Sequence, residues 1–240
     1  LLDAVDYKYD LFDKKVLENS CGDGQVLSEI VTRYIKDSFD FGRDSQLIAQ
    51  GLSENIFGFE IDLLQYKRCI NNLNSILHKN GIPSVNWKIY NEDFLRWIPT
   101  DNFDFIIGNP PYITYSELEE NERLFLKEQF KSCSKGKFDY CYAFIEKSLN
   151  LLSDKGRMAY LIPSSIFKTV SGKRLREIMM EYINGIIDFS KINVFDKALV
   201  KSSIIRFDKT DKNGLIIFDD SLTQNRIFIN KKDLSDKWIL

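Results

Sequence analysis

Apolar and polar positions follow two alternating patterns along the chain. Short, continuous apolar runs such as residues 105–108 are typical of strands that are buried on both faces. Between them lie longer segments whose apolar residues recur every three or four positions, as in the amphipathic helix predicted after the capping residue Asp62. Strands are predicted at 14–19, 55–61, 85–90, 103–109, 157–163, 185–189 and 202–207, with an extra strand at 214–220. Helices are predicted at 25–36, 63–80, 116–130, 138–156 (closed by Gly156) and 171–183.

Strands that alternate with helices of this length indicate βαβ units. We therefore predict an α/β fold with a doubly wound, mostly parallel, seven-stranded Rossmann-like sheet and helices on both faces. In such sheets ligands bind beyond the carboxyl ends of the strands, which directs attention to the residues that follow each strand.

Composition excludes several classes of protein. The chain has 240 residues, of which 44% are hydrophobic and 28% charged, as in ordinary globular proteins. No apolar run approaches the roughly 20 residues that a membrane helix needs, and the first residues do not resemble a signal peptide. Four cysteines without a CxxC pair and a single histidine offer no zinc site, so we expect no metal and free thiols in a reducing cytoplasm.

Charge is unevenly distributed along the chain. The net charge is −2, but residues 123–176 contain 12 lysine and arginine residues against 4 acidic ones. Solvated helix faces are one explanation, and a basic face that meets phosphates is the other. The cations that we predict to contact nucleic acid are Lys168, Lys173, Arg174 and Arg176.

The turn after the first predicted strand, ENSCGDG, carries Gly22 and Gly24. Glycines here would allow the backbone to approach a ligand at a helix N-terminus, although a plain βα turn is the alternative. Glu60 ends the second strand, where a carboxylate suits both hydroxyls of a ribose. Asp93 follows the third strand, placed to accept from an exocyclic amine, with Phe94 beside it as an apolar wall. Each acid alone fits a helix cap, but together they predict a nucleoside pocket.

Glu18 at the start of the first turn adds negative charge to this pocket. That charge suits S-adenosylmethionine, which carries an ammonium and a sulfonium, and would repel the pyrophosphate of NAD. The absence of a third glycine at the dinucleotide spacing also makes an oxidoreductase the least favoured reading. The predicted cofactor-binding residues are Glu18, Cys21, Gly22, Gly24, Glu60, Ile61, Asp93 and Phe94.

The fourth strand ends on an unusual corner, Asn109-Pro110-Pro111-Tyr112. Proline holds the residue before it extended, so the side-chain oxygen of Asn109 and the carbonyl of Pro110 are predicted to converge on one –NH₂ group. Accepting both hydrogens would free the nitrogen lone pair for attack. Tyr112 offers a face on which a planar ring can stack. A rigid turn without chemistry is the alternative interpretation.

With the ENSCGDG turn followed by NPPY, the chain resembles the gamma-type N6-adenine DNA methyltransferases of bacterial restriction–modification systems. The resemblance extends from about residue 16 to residue 207 and includes VFDKALVKSSIIRF. It implies that Asn109, Pro110 and Tyr112 are catalytic, and that Phe195 is a second stacking face for a flipped adenine. It implies S-adenosylmethionine as the cofactor and double-stranded DNA as the partner.

The same resemblance divides the chain into two parts. Residues 1–207 are predicted to form the S-adenosylmethionine-dependent catalytic domain, with its N-terminal helix reduced. Residues 208–240 are predicted to form an extra strand and a connection toward a target-recognition domain. We expect a catalytic domain from a larger protein, with recognition and nuclease functions in fused or partner domains outside these residues.

Three further interpretations remain open at this stage. NPPY also occurs in methyltransferases that act on guanine amines of ribosomal RNA or on a glutamine amide of release factors. A non-catalytic subunit that binds cofactor or DNA for a partner is the third. The helical segment after Tyr112 and the VFDKALVKSSIIRF segment favour the DNA methyltransferase.

Overall fold

The computed structural model describes residues 1–190 and 201–238. These residues form two compact units. The first comprises Leu1–Asn109 with Leu151–Gly156, and the second comprises Pro110–Asn150 with the residues described from Arg157 onward.

The strands are β1 Val16–Glu18, β2 Ile56–Phe59, β3 Lys88–Tyr90, β4 Phe103–Gly108, β5 Leu152–Pro163, β6 Ile183–Asp188, β7 Ser202–Asp208, β8 Leu215–Asp220 and β9 Arg226–Asn230. The helices are α1 Gln25–Asp40, α2 Ser45–Asn55, α3 Leu63–Lys79, α4 Glu120–Gln129, α5 Cys141–Leu151 and α6 Lys173–Met179.

The first unit is built on four parallel strands in the order β3-β2-β1-β4. Every residue of β1 and β2 is buried, which explains why these strands are apolar in sequence apart from Glu18 at the end of β1 and the small Gly58 in β2. Because the four strands are parallel, their carboxyl ends lie along one edge of the sheet. The residues that follow them are therefore neighbours despite their distance in sequence.

The second unit has the strand order β5-β7-β6-β8-β9. β7 runs antiparallel to β5 and β6, and β9 runs antiparallel to β8, whereas β6 and β8 are parallel. The start of β7 therefore lies beside the ends of β5 and β6, with Ser202 opposite Pro163 and Ser203 opposite Asp188.

The predicted α/β class with a mostly parallel sheet and covering helices is confirmed, but the strand number is not. The described residues contain nine strands instead of seven. The extra strand expected at 214–220 is β8. β9 was missed because most of its residues are exposed, including Ile227 and Phe228, so it carries no buried face for a sequence pattern to report.

Helix α2 was also missed, although its N-terminus carries a clear capping signal. The Asp44 side chain accepts a hydrogen bond from the Leu47 N–H at 2.8 Å. Gly51 lies in the middle of α2, where glycine normally disfavours a helix. A Cβ on Gly51 would come within 2.2 Å of the Tyr34 hydroxyl of α1, so close packing of the two helices explains this glycine.

Gly156 was predicted to close a helix, and this prediction is wrong. α5 ends at Leu151, and Gly156 lies inside β5. A Cβ on Gly156 would come within 2.8 Å of the Phe103 carbonyl oxygen. The glycine therefore permits a close approach of backbone to backbone.

The last described residues pack onto the second unit through Trp238. Its indole is 1% exposed and stacks on Phe167 with ring centroids 5.9 Å apart. Its backbone N–H donates to the Phe167 carbonyl at 2.9 Å. Residues 235–238 are therefore anchored by an apolar contact that their polar composition does not predict.

Candidate active site

The turn between β1 and α1 places its two glycines in different environments. Gly22 has φ +54°, and a Cβ built there would meet no atom within 4 Å, so this position faces open space. Gly24 has φ +87° and caps α1, and its Cβ would come within 2.7 Å of Cys69 Sγ. Gly22 therefore fits the predicted role of admitting a ligand, whereas Gly24 serves helix packing.

Cys21 is buried in the same turn, with 4% of its surface exposed. Its backbone N–H donates to the Phe59 carbonyl at 2.9 Å. A hydrogen bond with Cys69, together with burial, raises the pKa of the Cys21 thiol. The side chain is thus a structural contact between the turn and α3, and only its backbone remains suited to a cofactor.

Glu60, directly after β2, is held by the backbone on both carboxylate oxygens. Oε2 accepts from the Gly22 N–H and Oε1 accepts from the Asp62 N–H, each at 2.8 Å. The side chain is half-buried, so the carboxylate is fixed in orientation while part of it remains accessible. A fixed acidic acceptor beside open space is what recognition of a ribose diol requires.

Glu18, at the end of β1, is 2% exposed. Burial, followed by the proximity of Cys69, raises the pKa of this carboxyl well above its usual range, and Glu60 and Asp23 act in the same direction. The Leu27 N–H donates to the carboxyl, but within the described residues Oε2 has no hydrogen-bond partner. Such a buried acceptor is costly unless a ligand completes it.

Asp93 follows β3 and organises a turn. Its Oδ1 accepts from the Leu95 N–H at 2.8 Å, and its Oδ2 lies 3.1 Å from Arg96 Nε. Phe94 is 2% exposed and packs against Phe59 and Trp97, so its ring belongs to the core.

Ile61 is 71% exposed and lies directly after Glu60. It offers the open apolar surface that the buried Phe94 ring does not. Of the two residues predicted to contact the cofactor with apolar side chains, Ile61 is therefore the accessible one.

Asn109 follows β4 and is half-buried. Its carbonyl oxygen accepts a hydrogen bond from the Ser20 hydroxyl at 2.9 Å. Ser20 was not among the predicted site residues, because its only sequence signal is its place inside the ENSCGDG turn. The structure thus joins the candidate catalytic residue to the candidate cofactor turn within the first unit.

Tyr112 belongs to the second unit, where its hydroxyl donates to the Leu161 carbonyl at 2.8 Å. Burial raises the pKa of this phenol. The ring is half-buried and tied down at its far end, so its orientation is fixed. Phe195, the other predicted stacking residue, lies outside the described residues.

The four cations predicted to contact nucleic acid differ in accessibility. Arg176 is 2% exposed, and its guanidinium donates to the Asp236 carbonyl at 2.8 Å and the Thr169 carbonyl at 2.9 Å. These contacts tie the backbone at Asp236 to that at Thr169, so the prediction for Arg176 is corrected to a structural role. Lys168, Lys173 and Arg174 are exposed.

Lys173 and Arg174 each have an acidic neighbour. Lys173 Nζ lies 2.6 Å from Asp236, and Arg174 Nη1 lies 3.0 Å from Glu177. Both also line a groove of about 710 Å³ in the second unit, together with the exposed residues Lys135 and Lys137. Lys168 lines a separate cavity of about 300 Å³ with Lys201.

Residues 33–195 match the Eco57I restriction-modification methylase family. The chain belongs to this family. The type II methyltransferase M.BstVI of Geobacillus stearothermophilus is 29% identical over 224 residues, which cover 88% of this chain and 40% of that protein. The chain spans less than half the length of curated family relatives such as this one.

Solved structures share the fold of this chain. A nuclease-deletion mutant of the type ISP restriction-modification enzyme LlaGI, in complex with a DNA substrate mimic, matches with a TM-score of 0.74 at 18% identity, covering 95% of this chain and 28% of that one. A class I S-adenosylmethionine-dependent methyltransferase from Listeria monocytogenes, described as putative, matches with a TM-score of 0.61 at 18% identity, covering 92% and 62%. The predicted Rossmann-like class I methyltransferase fold is thereby confirmed.

No helix in the described ranges is both long enough and apolar enough to span a membrane. The same ranges contain no group of three histidine, cysteine or acidic residues arranged to hold a metal ion.

Proposed function

We propose that this methylase-family chain transfers a methyl group from S-adenosylmethionine to the N6 amine of a flipped adenine in DNA, as the modification part of a restriction–modification system. The observation that carries the proposal is the position of Asn109. It follows the parallel strand β4, and its backbone is hydrogen-bonded to the turn beside Glu60. Family membership supplies the reaction class.

The first unit fits S-adenosylmethionine in three respects. The open space at Gly22 leaves room for a ligand against the backbone. Glu60 presents a fixed carboxylate for the ribose hydroxyls. The buried Oε2 of Glu18 is suited to an ammonium group. When bound, the cofactor supplies a methyl group already activated by its sulfonium, so the reaction needs no metal.

The protein's own contribution is positioning. The Asn109 side-chain oxygen and the Pro110 carbonyl would accept the two hydrogens of the target amine, which withdraws the nitrogen lone pair from the ring. Tyr112 would hold the adenine ring by stacking, which contributes about 1–3 kcal/mol per base in nucleic-acid proteins. Binding holds the adenine nitrogen and the methyl carbon in line, so the entropy cost of bringing them together is met before the reaction begins. Because the donor is already activated, this positioning accounts for most of the catalysis that the transfer requires.

The proposed DNA surface consists of Lys168, Lys173 and Arg174, without Arg176. Lys135 and Lys137 extend it along the groove of the second unit. The logarithm of the duplex DNA binding constant falls linearly with the logarithm of the salt concentration. Each phosphate that a lysine or arginine neutralises makes this slope steeper by about 0.9. The variant Lys168→Ala/Lys173→Ala/Arg174→Ala should therefore bind with a shallower slope.

Lys155→Ala provides a matched control for this surface. Lys155 is exposed but lies near the start of β5, whereas Lys168 follows the end of that strand. The slope of this control variant should equal that of the unaltered protein. An unchanged slope in the triple variant would contradict the proposed surface.

The substrate is tested by offering duplex DNA, ribosomal RNA and a release factor side by side, with a radiolabelled methyl donor. We expect label in N6-methyladenine of DNA, and no label with Asn109→Ala. Label in guanine of RNA, or in glutamine of the release factor, would show that this group is the substrate and that adenine in DNA is not. No transfer to any of the three would favour the non-catalytic subunit.

A further inference from the structure

The Ser20 hydroxyl makes a contact that connects two parts of the candidate active site. Ser20 lies in the turn between β1 and α1, and Asn109 follows β4, 89 residues further along the chain. The hydroxyl donates to the Asn109 carbonyl oxygen at 2.9 Å. Both residues are half-buried, so water competes only partly for this bond.

The hydrogen bond between Ser20 and Asn109 lies where few backbone groups could hold the chain by other hydrogen bonds. Asn109 is followed by Pro110 and Pro111, and neither proline has an N–H group. The Asn109–Pro110 peptide can therefore be held through its carbonyl oxygen but not through its nitrogen. The ring fixes φ of Pro110, and the following Pro111 restricts its ψ to extended values, so the orientation of this peptide sets the direction in which the Pro110 carbonyl points.

The same turn also contacts the candidate ribose acceptor. Two residues after Ser20, the Gly22 N–H donates to Glu60 Oε2 at 2.8 Å. One short segment thus carries hydrogen bonds to the residue that would bind the methyl donor and to the residue that would bind the target amine.

We infer that Ser20 is a positioning residue for methyl transfer: its hydroxyl fixes the Asn109–Pro110 peptide relative to the cofactor turn. The inference rests on the proposed function. Ser20 touches neither reacting atom in this scheme. Its loss should lower kcat, since the two acceptor oxygens would be less well aligned, and leave cofactor affinity nearly unchanged, since Gly22 and Glu60 keep their contact.

The test compares Ser20→Val with Ser20→Thr. These side chains have nearly the same shape, and only threonine retains a hydroxyl. Ser53→Val is the matched control, because the Ser53 hydroxyl also donates to an asparagine carbonyl, that of Asn86 at 2.8 Å, away from the strand ends. If Ser20→Val does not fold, as judged by circular dichroism, the smaller Ser20→Ala takes its place.

Three quantities are measured: kcat with DNA, the affinity for S-adenosylmethionine by calorimetry, and amide exchange in peptides that cover residues 108–112. Ser20→Val should lower kcat about tenfold, the effect of one lost hydrogen bond, and should speed exchange in this segment. Ser20→Thr and Ser53→Val should remain close to the unaltered protein in both. The affinity for S-adenosylmethionine should change less than about twofold in all three variants, which is well below the tenfold effect expected from losing the Ser20 hydrogen bond.

Equal kcat and equal exchange for Ser20→Val and Ser20→Thr would overturn the inference. So would a loss of cofactor affinity that accounts for the whole effect, because Ser20 would then only shape the cofactor turn. Failure of the unaltered protein to methylate DNA would instead refute the proposed function. The exchange measurement would still decide whether Ser20 holds the Asn109 backbone.

Discussion

The buried carboxyl of Glu18 gives the protein a specific pH dependence. The ordinary pKa of this side chain is 4.5, and burial raises it well above that value in the folded protein. The folded state therefore keeps the proton to a higher pH than the unfolded state. The free energy of unfolding should then fall as pH rises above about 4.5, until the folded pKa is reached.

The size of the effect follows from linkage. One proton that is bound in the folded state and released in the unfolded state changes the free energy of unfolding by at most about 1.4 kcal/mol per pH unit. Glu18→Gln removes the titration and retains an oxygen for the Leu27 N–H. Relative to the unaltered protein, this variant should gain stability by up to that amount for each unit of pH within the window.

The assay is urea unfolding of both proteins at one-unit intervals between about pH 5 and about pH 8. Glu128→Gln, at an exposed glutamate of α4, is the control. Saturating S-adenosylmethionine should reduce the trend, because a nearby cation favours the charged carboxylate. A difference between the unaltered protein and Glu18→Gln that stays constant across the range would refute the reasoning, as would a difference of opposite sign.

Three other expectations are checked more directly. Asn109→Ala should abolish methyl transfer with little change in cofactor affinity, and a large loss of affinity by calorimetry would contradict this division of roles. Asp93→Ala should weaken cofactor binding first, because the turn it organises loses the bond to the Leu95 N–H; unchanged affinity would exclude it from the cofactor site. Trp238→Ala should cost about 3–5 kcal/mol of stability, the usual penalty for a buried aromatic, whereas exposed Ile98→Ala should cost little in the same denaturation experiment.

Much of the local structure could be predicted because the signals are local. A continuous run without charged residues marks β2, since both faces of this strand are buried. Asp62 was predicted to cap α3, and its side chain accepts from the Gln65 N–H at 2.9 Å. β9 and α2 were missed for different reasons: β9 has no buried face, and α2 carries a glycine whose purpose is visible only against Tyr34.

The chain by itself determined the order of the candidate groups: an acid or asparagine at or just after the end of each of the first four strands. Parallel pairing then brings those strand ends to one edge, so sequence order was enough to predict a common site. Only the tertiary structure decided which side chains are accessible. Residue type and position predict a site role for Phe94 and Arg176, yet both are buried, Phe94 partly by Phe59 and Arg176 partly by the backbone at Asp236, which are distant in sequence. The Ser20–Asn109 bond, too, depends on two turns meeting in space, and a one-dimensional pattern contains no distance between them.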